Sequence, residues 1–200
     1  MHFLNLLAKT ALVLLTMATA IYATAVPSPI SDKTIIISHR SIASKRSFAD
    51  TKAALDATLP NLNTTFRDLL NANDPAGALA ALKDLPALNS FMPPRDFGQL
   101  ITIYGINGKH ALQYEIGNPY TASKFARHNL GAALYAPIRV ALIEDSHGVV
   151  RFVFDKPTST FGQFGDPRID AVAVALDNEL TQLFLFAGGW PSSWPLPPLP

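Results

Sequence analysis

The segment "QLITIYGINGKHALQYEIG", Gln99–Gly117, decides the fold because it places an alternating apolar pattern on both sides of a turn signal. Asn107-Gly108 supplies the positive φ angles that a tight hairpin turn needs, which predicts two antiparallel strands around it. Successive side chains of a strand point to opposite sides of its sheet, so the second strand has an apolar face and a more polar face. The apolar face carries Leu112, Tyr114 and Ile116, and the opposite face carries Ala111, Gln113 and Glu115.

The chain after this segment predicts a helix, a second hairpin and a final helix. Asn118-Pro119 and Asp166-Pro167 each combine a capping side chain with proline at the first helical position. Between these two helices, the alternating stretches Ile138–Asp145 and Val149–Asp155 predict two more strands. Apolar residues at steps of three and four predict an amphipathic final helix that Gly188-Gly189 ends. These residues are Ile169, Val172, Leu176, Leu180, Leu183 and Ala187.

The chain before this segment predicts one strand and several short helices. "TIIIS", Thr34–Ser38, is a β-branched run that is typical of a strand. Ser47 is placed to cap a helix from Phe48 to about Leu59, and Asp74-Pro75 is placed to start a later one. Together the elements indicate an α+β fold with a mainly antiparallel, twisted sheet of about five strands and helices packed on one face.

Residues 1–25 have the features of a secretory signal peptide. Lys9 precedes an apolar run, Ala11–Ala25, which ends in small residues before a polar, proline-containing segment. We predict cleavage after Ala25, with Ala20 as the second candidate site. The rival interpretation is an uncleaved membrane anchor, but a spanning helix needs about 20 apolar residues and this run is shorter. The predicted product is a secreted, extracellular protein with no membrane association after signal cleavage.

The remaining chain is predicted to form one domain with short appendages. We expect an N-terminal segment at 26–46 that holds the first strand, and a single α+β domain at 47–187 whose core spans roughly 34–187. A proline- and tryptophan-rich tail at 188–200 either packs against the domain or is disordered. Lys45-Arg46 is a dibasic pair of the kind that processing proteases cut in fungal secretory pathways, although cleavage there would separate the first strand from the domain.

Composition argues against several classes of function. The chain has 16 basic and 15 acidic residues and no basic block, so nucleic acid is not expected as a partner. It has no cysteine, which excludes disulfides, thiol catalysis and cysteine-ligated metals. In an exported glycoprotein, the sequon Asn63-Thr64-Thr65 makes Asn63 the candidate glycosylation site, and the same residues also fit a helix cap.

The sequence contains none of the common catalytic or phosphate-binding motifs, and its histidines are not spaced as metal ligands. We therefore predict no catalytic residue, no metal and no cofactor. Glu144 and Asp145 are adjacent, but acidic residues are common at hairpin turns for local hydrogen-bonding reasons. Arg139 is a charge in an otherwise apolar strand, and it can pair with Glu115 if the two hairpins are neighbours. Such a pair either stabilises the sheet or holds an anionic ligand.

Four stretches, in this order, resemble a known family. They are "EIGNP" at 115–119, "AALYAPIRVALIED" at 132–145, "FDKP" at 154–157 and the closing amphipathic helix. The family is domain of unknown function 302, and the sequence resembles in particular its exported fungal branch. The resemblance spans residues 34–186 and implies a compact α+β domain, without an established activity or defined catalytic residues. Many bacterial members carry cysteines near two of these motifs, so a thiol- or metal-based role does not transfer to this cysteine-free chain.

The missing catalytic motifs favour a secreted, non-catalytic domain that binds a small ligand or an extracellular protein. Its predicted surface is the sheet face or cleft near Glu115, Asn118, Tyr135 and Arg139. One alternative is an exported enzyme of unrecognised type that uses these residues with His128. Another is a fungal secreted interaction or virulence-associated protein without a small-molecule site. A deep pocket at Glu115 and Arg139 would support the enzyme, and a shallow surface with paired side chains would support the interaction protein.

Overall fold

The computed structural model describes residues 29–196. The predicted signal peptide, its cleavage site at Ala25 and the last four residues lie outside this range. Residues 29–34 belong to a unit of their own and contain no helix or strand, and a second compact unit begins at Ile35. All elements described below belong to this second unit.

The second unit is built on an antiparallel sheet of six strands. The strands are β1 His39–Ala43, β2 Asn89–Ser90, β3 Arg95–Asp96, β4 Ala111–Gly117, β5 Ile138–Glu144 and β6 Val150–Asp155. Their order across the sheet is β1-β6-β5-β4-β2, and β3 pairs with the same edge of β4 as β2 does. The α+β prediction and the predicted second hairpin, β5–β6, are confirmed.

The principal helices begin at caps that the sequence predicts. The side chains of Ser47, Asp74, Asn118 and Asp166 each accept a hydrogen bond from a backbone N–H in the first turn of the helix that follows. The α-helices are α1 Phe48–Thr58, α2 Thr65–Asn71, α3 Pro75–Lys83, α4 Phe97–Leu100, α5 Pro119–Ala126, α6 Pro157–Thr160 and α7 Pro167–Ala187. Short 3-10 helices cover Ile101–Tyr104, Leu130–Tyr135 and Gly162–Phe164.

The core lies between the sheet and its helical layer. Alternate side chains of the central strands are buried against the 21-residue helix α7 and its neighbours. Phe152 of β6 stacks on Phe184 of α7 with ring centroids 4.6 Å apart. Each fully buried side chain of this kind contributes about 1.5–3 kcal/mol, so this layer fixes the register of the strands. The remaining side chains of β1, β4, β5 and β6 point to the opposite side, which we call the outer face, and they are half-buried or exposed.

The predicted first hairpin is wrong. Residues 97–104 form α4 and a 3-10 helix rather than a strand. The Asp96 side chain accepts a hydrogen bond from the Gln99 N–H (2.8 Å), so a capping residue starts a helix where the alternating pattern indicated a strand. β4 pairs instead with β5 and with the two-residue strands β2 and β3, which the sequence pattern did not indicate.

The first strand lies later in the chain than predicted. Thr34–Ser38 contains no strand, and β1 begins at His39. This position is fixed by two side chains that face the helical layer. Ile42 is buried in the core, and Arg40 pairs with Asp177 of α7 (Nη1 to Oδ1, 2.8 Å). The β-branched run correctly predicts a strand in this part of the chain. The residues that form it are the ones after the run, because their side chains are buried against the helical layer.

The tail packs against the domain as far as Leu196. Trp190 Nε1 donates a hydrogen bond to the Ala43 carbonyl oxygen of β1 (2.6 Å). Farther along, the Ser193 N–H donates to Oε1 of Gln182 on α7 (2.8 Å). The C-terminal tail therefore lies beside the N-terminal strand.

The dibasic pair lies at the same place. Lys45 Nζ is 3.9 Å from the centroid of the Trp190 ring, and Arg46 Nη1 donates to the Ala187 carbonyl oxygen (3.2 Å). The Lys45 N–H also donates to the Gly188 carbonyl oxygen (2.8 Å). Both residues are exposed but held by the C-terminal end of the domain. Cleavage at this pair stays a prediction.

Candidate functional site

A row of charged side chains crosses the outer face of the sheet. This charged row consists of His39, Asp155, Arg139, Glu115 and Arg95. In the register of the sheet, Glu115 of β4 lies opposite Arg139 of β5, and His39 of β1 lies opposite Asp155 of β6. Directly opposed residues of antiparallel strands place their side chains on the same face. The fold therefore brings together two of the residues that the sequence predicts for the binding surface.

Most of the charged row is internally paired. His39 Nδ1 lies 2.6 Å from Asp155 Oδ1. Glu115 is paired with Arg95, whose Nη2 lies 2.8 Å from Oε1 of the carboxylate. Arg95 Nη1 also donates to Oε1 of Gln113 (2.9 Å). Glu115 thus has an arginine partner that the sequence did not indicate, because Arg95 belongs to a strand of only two residues.

Arg139 is the exception in the charged row. Its side chain is exposed and makes no hydrogen bond or ion pair with any residue between 29 and 196. Guanidinium presents five N–H donors in a planar fork that matches a carboxylate. The strand order places Arg139 between Asp155 and Glu115, whose carboxylates already contact His39 and Arg95. The arrangement leaves one cation available to an external anionic group.

The row next to the charged row carries shorter side chains, and the row beyond it contains Ile143 and Arg151. Ala141 and Val153 are opposed in the centre, and Gln113 and Ser41 flank them on the adjoining strands. In the row beyond, Arg151 is paired with Asp145 (Nε to Oδ2, 3.1 Å). A charged row beside a short apolar centre has the composition of a protein-docking surface.

Asn118 and Tyr135 lie apart from the charged row. Asn118 is buried, and its amide caps α5 while its Nδ2 donates to the Pro86 carbonyl oxygen (2.8 Å). Tyr135 is half-buried and packs edge-on against Phe161, with ring centroids 6.0 Å apart. The four candidate residues therefore divide into Glu115 and Arg139, which lie on the outer face, and two residues with structural contacts.

The cleft next to Asn118 is too small for an organic ligand. It is lined by apolar side chains, including Phe125 and Pro137, and its volume of about 20 Å³ is sufficient for one water molecule. His128 follows α5 and accepts a hydrogen bond from Arg127 Nε (3.2 Å). It does not line this cleft.

Two larger clefts lie between α1 and the β3–β4 edge, with volumes of about 400 and 350 Å³. In the first, the Tyr114 hydroxyl donates to Asp56 Oδ1 (3.1 Å). Burial and the Asp56 carboxylate raise the pKa of Tyr114 above its usual range, so the phenol remains a hydrogen-bond donor. Neither cleft is lined by Glu115 or Arg139. These two clefts of the described chain therefore lie apart from the charged row.

Two buried carboxylates on α7 were missed by the sequence analysis. Asp177 pairs with Arg40, as described above. Glu179 is 2% exposed, and neither of its carboxylate oxygens has a hydrogen-bond partner among the described residues. Burial raises the pKa of Glu179 to about 7, against the opposing attraction of Lys124. The signal was present in the sequence, because Glu179 lies three residues after Leu176 and four before Leu183, within the apolar stripe.

The candidate glycosylation site is accessible. Asn63 is exposed in the connection between α1 and α2, and its Oδ1 accepts hydrogen bonds from the Thr65 N–H (2.9 Å) and the Thr65 hydroxyl (2.7 Å).

Among residues 29–196, no group of three or more histidine, aspartate or glutamate residues is arranged to hold a metal ion. Within the same residues, no helix has the length and apolar character that a membrane crossing requires.

Comparison with known proteins identifies the domain. Residues 95–184 match the family described as domain of unknown function DUF302, so a DUF302 domain extends from β3 into α7. The crystal structure of an uncharacterized conserved protein DUF302 from Bacillus stearothermophilus has the same fold, with a TM-score of 0.54 and 14% sequence identity. The similarity covers 74% of this chain and 97% of that chain. A comparison with curated proteins gave no match.

Proposed function

We propose that the protein is a secreted, non-catalytic binding module that docks an extracellular protein on the outer face of its sheet. The observation that carries this proposal is Arg139, an exposed arginine without a partner in a row whose other charges are paired. The next row of the outer face carries the short apolar side chains of Ala141 and Val153, and the cleft nearest to Asn118 has room only for water. These features favour a macromolecular partner over a small ligand.

The chemistry of the partner follows from the charged row. A carboxylate of the partner would face Arg139, and small apolar side chains would lie over Ala141 and Val153. Arginine is enriched at protein interfaces, where a bidentate carboxylate pair in a dry centre is strong and geometrically selective. Because the carboxylates of Asp155 and Glu115 lie beside the two arginines, the row favours a protein surface of mixed charge over a polyanion such as nucleic acid.

The proposal can be tested with a photo-crosslinking side chain at Ala141, in the centre of the outer face. The bait is exposed to the extracellular proteins of the producing organism, and crosslinked partners are identified by mass spectrometry. We expect a partner that is captured at Ala141 but not at Val174, which is exposed on α7. Capture should be lost in Arg139→Glu and retained in Arg67→Glu, which makes the same charge change on α2.

Two outcomes would contradict the proposal. Equal capture at Ala141 and Val174 would mean that the outer face is not the docking surface. Capture that Arg139→Glu leaves unchanged would remove Arg139 from the interface. A third measurement addresses the small-ligand alternative: native mass spectrometry of the purified protein should show no retained small molecule that depends on Arg139.

Export is part of the proposal and has its own test. The apolar N-terminal run supports a signal peptide cleaved after Ala25, and the resemblance to the exported fungal branch agrees with that reading. N-terminal sequencing of the protein recovered from culture medium should begin at Val26. A protein that begins at Met1 would contradict cleavage. Treatment with a glycosidase should lower the mass of the secreted protein, and Asn63→Gln should abolish that change.

A further inference from the structure

We infer that two copies of the chain form a dimer in which their β1 strands pair antiparallel, so that one sheet continues across both copies. The two features behind this inference are the free edge of β1 and the isoleucine run at residues 35–37. The inference does not depend on the proposed docking function, because the outer face and the edge of β1 are different surfaces of the sheet.

The edge of β1 presents main-chain groups without partners among residues 29–196. The Ser44 N–H donates to the Val150 carbonyl oxygen, and the Lys156 N–H donates to the Ser38 carbonyl oxygen, both at 2.8 Å. These bonds show that the even-numbered residues of β1 direct their main-chain groups toward β6. His39 and Ser41 direct theirs outward, where no described residue pairs with them. An edge of this kind is a template for another strand.

The isoleucine run continues this edge toward the N-terminus. Its composition predicts a strand, yet it forms no strand with any part of the chain that the structure describes. Ile36 is 88% exposed, the highest value among the large apolar residues that are described. An exposed β-branched run beside an open edge is prone to association. The run therefore has the properties of a strand whose partner belongs to another molecule.

The position of Trp190 limits the possible registers. Its indole covers the edge at Ala43, so the available edge runs from Ser41 toward the N-terminus. A symmetric antiparallel pair within these limits is centred on His39. This register places Ile37 opposite the partner's Ser41 and Ile36 opposite the partner's Ile42, on the side of the sheet that faces the core.

This geometry identifies a second copy as the occupant. The partner strand must offer a small residue opposite Ile37 and an apolar residue opposite Ile36, and β1 itself supplies both. Pairing also extends the cover over Ile42, a core residue at the rim of the sheet. A two-fold pairing of identical edges is closed, so it produces a dimer and not a fibre.

The test is the mass of the full chain, as cells produce it, by sedimentation equilibrium over a series of concentrations. We expect a reversible dimer. Ile36→Lys and Ser41→Pro should each weaken dimerisation by about tenfold or more, because one places a charge in the pair and the other removes an outward N–H donor. Ile103→Lys makes the same substitution at another exposed isoleucine and should leave the dimer unchanged.

Both variants are designed to fold. Ile36 is exposed, and the N–H that Ser41→Pro removes faces away from β6, so neither change breaks a contact within the monomer. Circular dichroism and the urea midpoint should match those of the original chain. A chain that is monomeric at all concentrations would overturn the inference. So would a dimer that both Ile36→Lys and Ser41→Pro leave unchanged.

Discussion

Asp177 and Glu179 are buried carboxylates two residues apart on α7, and their surroundings are opposite. Asp177 accepts hydrogen bonds from Arg40 (2.8 Å) and the Thr158 hydroxyl (3.1 Å), and Lys156 Nζ lies 3.6 Å away. Glu179 is buried to the same degree, but its carboxylate oxygens have no hydrogen-bond partner in the described chain. Residues two apart lie on different sides of a helix, which explains how one faces β1 and α6 while the other is near Lys124.

The difference shows that burial alone does not determine what a charge does in a fold. Asp177 joins β1, α6 and α7, so its charge is compensated where three elements meet. Glu179 has only a nearby lysine whose own pKa is lowered, chiefly by burial. Burial without hydrogen bonds raises the pKa of a carboxyl group, so the group stays protonated and neutral to higher pH. One carboxylate therefore holds elements together, and the other makes stability depend on pH.

The largest effect is expected from Asp177→Ala. The substitution leaves Arg40 and Lys156 without their carboxylate, and breaking a buried pair typically costs 3–5 kcal/mol. Because both cations are partly exposed, we expect a loss of about 3 kcal/mol in the free energy of unfolding, measured with urea. Asn178→Ala, an exposed neighbour on α7, serves as the control. Equal losses in the two variants would show that Asp177 is not a structural link.

Glu179→Gln should act in the opposite direction and depend on pH. The pKa of Glu179 is raised from 4.5 to about 7 in the folded state. An unfolded chain ionises this group near pH 4.5, so the folded state loses relative stability as pH rises from there to about 7. We expect the variant to be more stable by about 2 kcal/mol at pH 8, and no more stable at pH 4. A gain of the same size at both pH values would contradict the assignment to ionisation.

Lys124→Met should widen the pH range over which the stabilisation by Glu179→Gln develops. Its own effect on the free energy of unfolding should be smaller than that of Glu179→Gln. The lysine favours the ionised form of Glu179, so its removal should raise the pKa of that carboxyl further. The pH at which Glu179→Gln begins to stabilise the protein marks the lower end of this range and should not move. The upper end, where the gain levels off, should move to higher pH. Lys83→Met is a control at an exposed site, and a shift of the same size there would contradict the coupling.

Arg139→Ala should have the smallest effect on stability, because this arginine has no partner to lose. We expect the free energy of unfolding to change by less than about 0.5 kcal/mol, as for ordinary surface substitutions. The same variant should lose capture of the partner in the crosslinking experiment. Destabilisation comparable to that of Asp177→Ala would mean that Arg139 is structural.

Local signals in the sequence predicted the fold well where the responsible contacts are local. Asn118-Pro119 and Asp166-Pro167 start helices because caps and proline act within one turn. The β5–β6 hairpin also forms as predicted. The segment around Asn107-Gly108 failed because Asp96 caps a helix before it, and because two short strands compete for the edge of β4.

The candidate site was only partly predictable, because some of its contacts join residues that are far apart in the sequence. Alternation along β4 and β5 places Glu115 and Arg139 on one face, and the register then opposes them. The pairing of Glu115 with Arg95 depends on a contact across the sheet that no pattern within either strand contains. Asn118 could be recognised as a cap from its neighbour, but the small volume beside it follows only from the packing around it.

The contact between Trp190 and Ala43 has a consequence for maturation at Lys45-Arg46. A cut after Arg46 would break the chain but not the contacts that hold the strand before it. The released segment would remain bound through its ladder to β6, its Arg40–Asp177 pair and the indole of the tail. The product of cleavage would be a nicked, two-chain protein that separates only when it is denatured.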